Sequence, residues 1–255
     1  VKLESGEELL SCHVVLAVGH SARDMFELLQ QRGVAIAAPP FSLGFRVDHP
    51  QSLIDKARFG ASRPELGAAE YRLVHHASNG RDVYSFCMCP GGTVVAAASE
   101  EGRVVTNGMS QYSRNERNAN AGIVVGISPQ PDYPGDALAG VALQRHWESR
   151  AFVLGGENYC APAQRVDDFL AGRPSTAFGE VQPSYTPGVQ LCDLSSALPD
   201  YAIAAIREAL PAFGRQIRGF DRPDALLTGV ETRTSSPIRI RRDDATLQSL
   251  NTRGL

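Results

Sequence analysis

The stretch Tyr71–Gly108, YRLVHHASNGRDVYSFCMCPGGTVVAAASEEGRVVTNG, decides the fold class. Asn79-Gly80 is the favoured two-residue hairpin turn. Pro90-Gly91-Gly92 and Glu101-Gly102 punctuate the chain again, and the runs between them are rich in β-branched and aromatic residues. The pattern predicts an antiparallel meander of about four strands. Strict alternation places Val83, Ser85, Cys87 and Cys89 on one face, with Tyr84, Phe86 and Met88 on the other. A two-residue turn makes Ser78 face Arg81, so Arg72 opposes Cys87 and Glu70 opposes Cys89.

That register bears on the two cysteines. Cys87 falls two cross-strand pairs from His76, roughly 13 Å at ~3.3 Å per residue. Zinc bonds of ~2.0–2.3 Å are not assembled from such a set. Cysteines two apart on a flat strand lie ~6.6 Å from one another and point the same way, which strains a disulfide. No metal is expected. Two readings remain. In one, small side chains pack on a sheet that turns at Pro-Gly-Gly. In the other, Arg72 favours a Cys87 thiolate and the Gly91-Gly92 backbone approaches a ligand. Cys87, Cys89, Gly91, Gly92 and Asn118 are therefore the substrate-pocket candidates. The polar run SQYSRNERNANAG (110–122) adds Arg114, Arg117 and Asn120, either recognising an anionic or amide-bearing substrate or forming a solvated loop.

Upstream, His13–Val18 reads as a strand covered on both faces. Gly19 follows, and a helix capped by Ser21 carries Met25, Phe26, Leu28 and Leu29 to a stop at Gly33. FSLGFRVDHP (41–50) looks extended, and PQSLIDKARFG (50–60) forms a short helix. Helical patterns cover Ala137–Phe152, Pro162–Leu170 and Pro199–Leu210. His146 and Arg150 stand one helical turn apart beside Trp147, a pattern of core Trp with a polar flank. The tail ALLTGVETRTSSPIRIRR (225–242) returns to strands. Within it, Glu231, Arg233 and Ser235 alternate with Thr232, Thr234 and Ser236, a density of polar groups that suits a wall facing a polar ligand or an exposed edge strand.

Composition narrows the class. The chain has 255 residues, 43% hydrophobic and 21% charged, with a formal charge of −3, so it has no general attraction for nucleic acid or an anionic membrane. No apolar run approaches the ~20 residues of a membrane span. Five cysteines at irregular spacing do not form a disulfide framework, and a reducing, cytoplasmic setting is expected. Ser-His-Asp, His-Glu-x-x-His and P-loop patterns are not found.

Three stretches carry a resemblance: VVLAVGHSARDMFELL, YSFCMCPGGTVVAAASEEGRVVTNGMSQYSRNERNANAGIVV and ALPDYAIAAIREALPAFGRQIRGFDRPDALLTGVETRTSSPIRIRRD. Together they resemble the uncharacterised FAD-dependent dehydrogenases, bacterial flavoproteins with a glutathione-reductase-like FAD domain. The resemblance implies an α/β protein. A partial FAD/NAD(P)-binding-type domain (1–37 and 221–255) would flank an inserted α+β substrate domain (38–220) of antiparallel sheet plus helices. It implies FAD as cofactor, NAD(P)H as electron donor, hydride transfer, and a small-molecule substrate or electron acceptor as partner. The rival is a non-catalytic binding module whose flavin is structural or lost.

By the resemblance, Val18, Gly19, Ser21, Thr232, Arg233, Thr234 and Ser235 are the cofactor-binding candidates, with Arg233 stabilising charge on a reduced flavin and Pro237 lining the pocket. For Gly19 a plain strand-to-helix turn is the other reading, and for His20 a solvated loop position. LAVGHS departs from the family's Ala-Thr-Gly-like motif by Val18 in place of Thr, and the chain holds no G-x-G-x-x-G after a strand. These departures predict an internal piece of a longer protein that alone binds FAD weakly or not at all.

Overall fold

The computed structural model describes residues 2–12, 15–60, 64–253 and 255. Its strands are β1 (Ile36–Ala37), β2 (Phe41–Pro50), β3 (Val74–His76), β4 (Asp82–Ala96), β5 (Thr106–Ser110), β6 (Asn118–Ile127), β7 (Ala161–Arg165), β8 (Val189–Leu191), β9 (Leu226–Glu231) and β10 (Arg239–Ile240). Its helices are α1 (Arg23–Gln31), α2 (Gln51–Phe59), α3 (Pro129–Asp132), α4 (Ala139–Leu154), α5 (Val166–Ala171) and α6 (Asp200–Gln216).

Alternation in FSLGFRVDHP organises the molecule. Phe41, Leu43, Phe45, Val47 and His49 face one side of β2, and Ser42, Gly44, Arg46 and Asp48 face the other. The apolar set joins the main core with Ile203, Ile206, Leu210 and Phe213 of α6, and Phe45 meets the Phe169 ring edge-on at 5.9 Å. β2 lies mid-sheet in the order β3-β4-β6-β2-β9-β7-β8, with β5 paired to β4. Every pairing is antiparallel except β7 with β8. Opposite Ser42, Arg46, Asp48 and Pro50, β6 supplies Gly126, Gly122, Asn120 and Asn118. The second face of the sheet is therefore polar, with two bare glycines.

β4 departs from the expected meander. It does not turn at Pro-Gly-Gly but runs from Asp82 to Ala96, its register slipping between Phe86 and Cys89 and again between Cys89 and Gly92. Cys87 at φ 41° and Gly91 at φ 46° take up the slips. Two successive bulges bend the strand. Its far half, paired with β5, thereby crosses one end of the polar face. The hairpin before it also differs from expectation, because its loop is Ser78-Asn79-Gly80 and Val74 pairs with Tyr84, His75 with Val83 and His76 with Asp82. Gly80 at φ 79° supplies the left-handed position of a three-residue loop, which moves the register by one and removes the Arg72–Cys87 pairing.

Other expectations are corrected. Residues 162–170 are not one helix: Ala161–Arg165 form β7 between β9 and β8, and α5 begins only at Val166. The small side chains of Ala161 and Ala163 are fully buried there, and sheet hydrogen bonds hold the segment extended. Asn118 and Asn120, expected in a loop, open β6. His13 and Val14 lie outside the described residues. The rest of the expected buried strand, from Val15, has no regular structure, with Val15 87% and Val18 40% exposed, since no described strand pairs with it. Ser21 does not cap α1, which starts after Ala22 without a side-chain cap. Gly33 does end it, at φ 70° with its N–H donating to the Gln30 carbonyl.

The chain ends meet. β1 pairs with β10, Ile36 against Ile240 and Ala37 against Arg239. Phe26, Leu29, Val34 and Ile238 form a second small core with Val141 of α4. The Asn251 side chain clasps this unit, accepting from the Ala35 N–H and donating to the Gly33 carbonyl, both at 2.7 Å. The large sheet, however, continues through β9 to Glu231, eleven residues past the boundary expected after residue 220.

Candidate functional site

Under β5 the polar face closes around Arg46, which is fully buried. Its Nε donates to Glu231 Oε2 at 2.7 Å, Nη1 to the Cys87 carbonyl at 2.7 Å and to Asn120 Oδ1 at 3.2 Å, and Nη2 to Asn107 Oδ1 at 2.8 Å. Gly108 lets β5 come this close, because a Cβ there would collide with the Arg46 guanidinium and the Asn120 amide. Burial pushes the Glu231 carboxyl up, opposed by Arg46. One strand step away, Asp48 accepts from Asn118 Nδ2 and Ser184 Oγ, both at 3.0 Å. Burial outweighs those bonds and holds its carboxyl at about 6. His49, facing the apolar side, bonds the Phe220 carbonyl at 2.6 Å and is pushed down to about 4 by burial.

The substrate-pocket candidates surround this web. Cys89 is buried and opposes Asn120, while the Gly91 N–H donates to Gln51 Oε1 at 2.6 Å. Gly92 opposes Asn118, whose amide is spent on Asp48 and the Gln182 carbonyl. Cys87 alone of the five is both exposed and in a left-handed conformation. Burial raises both thiols and only Arg46 opposes it, so the neutral thiol is favoured rather than the thiolate that an Arg72 partner suggested. All five cysteines are free. Among the described residues no group of three or more His, Cys, Asp or Glu is placed to hold a metal.

Three cofactor candidates meet in a second buried web. Arg233 grips Glu148 through Nε at 2.9 Å and Nη2 at 2.8 Å, and its Nη1 donates to Ser21 Oγ at 3.0 Å and Ser99 Oγ at 2.7 Å. Thr232 Oγ1 donates to Glu148 Oε1 at 2.8 Å. Arg23 is 4% exposed and donates to Gln144 Oε1 at 2.6 Å. The Arg233 guanidinium, expected beside a flavin, is engaged on every nitrogen within the protein. These bonds tie the turn before α1 and the segment after β9 to α4.

Beyond Thr232–Arg233 the chain becomes a strap between two concavities. On one side, a hollow of about 910 Å³ is walled by Ser42, Tyr84, Phe86, Gly126, Thr234 and Ser235. It occupies the end of the polar sheet face that β5 leaves open. On the other side, a cleft of about 690 Å³ is walled by Val18, Gly19, Phe26, Ile238, Arg239 and Arg242. Gly19 is at φ 75° with open space beyond it. Four of the candidates therefore divide between the hollows, Thr234 and Ser235 to one and Val18 and Gly19 to the other. His146 stacks edge-on to Trp147 at 4.7 Å, and Arg150 donates to the Ser196 carbonyl at 3.2 Å. Both belong to the frame.

Comparison with known proteins reaches the same region. The model of the family described as "FAD-dependent protein, C-terminal domain-like" matches residues 40–234, from just before β2 to the strap. The chain belongs to this family. An uncharacterized protein of Clostridium beijerinckii is 50% identical over 262 residues, covering 100% of this chain and 49% of the relative. The chain thus spans about half the length of that relative. Among the described residues no helix is long and apolar enough to cross a membrane.

Membership of an FAD-dependent family poses a test for the cleft. A flavin dinucleotide needs cationic and N–H donors for its diphosphate and apolar surface for its rings. Arg239, Arg242 and the open Gly19 turn provide the first, and Phe26 and Ile238 the second, so the residues present fit one wall of such a site.

Sequence reasoning missed Ser42, Arg46, Tyr84 and Gly126 as site residues. For Ser42 and Arg46 the signal lay in FSLGFRVDHP, where Ser, Gly, Arg and Asp recur at every second position between apolar residues; Tyr84 and Gly126 join them only through strand pairing.

Proposed function

We propose that this chain is the sheet-bearing portion of an FAD-dependent oxidoreductase. Residues 1–37 and the part of 221–255 after Glu231 complete a nucleotide-binding lobe, and the sheet from residue 38 onward shapes the substrate site. The observation that carries this reading is the Thr234–Ile240 strap, one segment that walls both a dinucleotide-sized cleft and a hollow on the sheet. A cofactor and a substrate that exchange electrons must share a boundary, and the strap is such a boundary. In the cleft, backbone at Val18 and Gly19 and the Arg239 and Arg242 guanidiniums hold the diphosphate, by charge and by N–H donation. Bound FAD supplies reversible hydride acceptance, and NAD(P)H is the proposed donor. Ser21, Thr232 and Arg233 position the strap through Glu148. The five free thiols accord with the reducing, cytoplasmic setting proposed for the protein.

The test uses the full-length polypeptide. It should purify with bound FAD, NADH or NADPH should bleach the flavin absorbance under anaerobic conditions, and an added electron acceptor should restore it. Arg239→Ala with Arg242→Ala should weaken FAD binding about tenfold or more, the loss of charge-assisted bonds to phosphate. A full-length protein that binds no flavin overturns the reading. Flavin that binds but accepts no hydride from either nucleotide replaces it with the binding-module alternative.

A further inference from the structure

We propose that the 910 Å³ hollow at the open end of the polar sheet face takes a neutral, mainly apolar molecule anchored by one carbonyl or hydroxyl oxygen on the Tyr84 hydroxyl. This deepens the reading above by naming the substrate class, and it rests on that reading only for the word substrate.

Charge excludes ions. Two charged side chains reach the rim, and each is already paired. Arg81 holds Asp132 through two bonds of 2.7 and 2.6 Å and lies 4.2 Å over the Tyr201 ring. Asp82 holds His76 at 2.6 Å. A carboxylate or phosphate entering the hollow would shed water and meet no free counter-charge. The body of the hollow is Phe41, Phe86, Val74 and Ile127, and its floor is open at Gly126, where a Cβ would meet nothing within 4 Å.

A proton count selects the anchor. Ser42 Oγ and the Tyr84 hydroxyl are 2.5 Å apart, and two hydroxyls share one proton between them, leaving the other to donate elsewhere. Ser42 is 3% exposed and its hydroxyl has no other partner, so its proton is satisfied only by the Tyr84 oxygen. Tyr84 is only half-buried, and its own proton is left pointing into the hollow. The Thr234 hydroxyl is spent on the Ser42 backbone at 3.0 and 3.1 Å, which fixes the wall and removes a competing donor. A pocket of mainly apolar walls whose hydroxyl donors are Tyr84, held against buried Ser42, and the exposed Ser235 selects an acceptor oxygen on an apolar frame.

The experiment titrates the full-length protein with three probes, α-tetralone, its carbonyl-free analogue tetralin, and the naphthoate anion, by calorimetry. Tetralone should bind at least about tenfold more tightly than either of the others, the worth of one buried hydrogen bond. Tyr84→Phe, a conservative change, should erase the preference for tetralone over tetralin while tetralin binding stays. Gly126→Leu should abolish binding of both neutral probes by filling the floor. Equal or tighter binding of naphthoate, failure of all three probes, or a tetralone preference that survives Tyr84→Phe overturns the proposal. Flavin absorbance of the same samples reports on the cofactor reading separately, so a flavin-free protein that still shows the tetralone pattern overturns that reading and not this one.

Discussion

Glu148 sits on α4 without exposure, and Arg233 and Thr232 all converge on its two oxygens, with Arg23 4.0 Å away. Removing its charge leaves the buried Arg233 guanidinium without a carboxylate partner and Arg23 with only Glu100, at 3.9 Å. Glu148→Gln should therefore lower stability by about 3–5 kcal/mol, read as a fall in the urea midpoint. Adding Arg233→Met should recover part of that loss. Adjacent residues on β2 make an opposite pair in pH. His49, held at about 4 against its ordinary 6.5, adds stability that is complete above 6.5 and lost as pH falls toward 4. Asp48, held at about 6 against 3.8, adds stability that is complete below 3.8 and lost as pH rises through 6. Asp48→Asn should accordingly stabilise the protein at pH 8, by on the order of 3 kcal/mol relative to the unsubstituted chain, and far less at pH 4. Chemical denaturation across that range checks the sign.

Bulges give β4 its function as an element. A straight strand from Asp82 to Ala96 would carry β5 away from the sheet; the slips at Cys87–Gly91 fold it back over Arg46. This closure depends on Gly108, where a methyl group has no room, whereas at Gly122 a Cβ would find ordinary contacts of 3.4–3.6 Å. Gly108→Ala should cost about 1–3 kcal/mol through overpacking, and Gly122→Ala well under that. Thermal midpoints of the two variants make the comparison. Asn-Gly correctly marked a hairpin, but its loop length was set by pairing downstream. Pro-Gly-Gly has the chemistry of a turn, yet pairing with β5 and β6 on either side reduces it to a bulge at Gly91 within one strand.

In the whole molecule, β1 and β10 close a unit from residues some 200 apart in the chain, Ile36 against Ile240. Asn251 holds that closure through its two backbone bonds. Asn251→Ala should speed amide exchange of β1 and β10 about fivefold, the equivalent of ~1 kcal/mol, without changing exchange in β2 or β6. Uniform loosening of the large sheet would contradict the separation of the two units. Val15, Leu16, Val18 and Leu247 line the cleft and are exposed, and under the proposed function they are the apolar surface that a completed nucleotide-binding lobe would cover.

Local pattern determined much of this protein. The stretch at residues 41–50 reads as extended from its sequence, and α1, α2, α4 and α6 follow from helical patterns. These are short-range features, written in a dozen residues at a time. The candidate site was legible only in part. Val18, Gly19, Thr234 and Ser235 do line the two hollows, but the engagement of Arg233 by Glu148 joins residues 85 apart in the chain, and no local pattern couples them. The bend of β4, the burial that moves Asp48 and His49 in opposite directions, and the free proton on Tyr84 all come from groups that meet only once the sheet has assembled. Desolvation and close approach act through space, and a sequence orders its residues along one line.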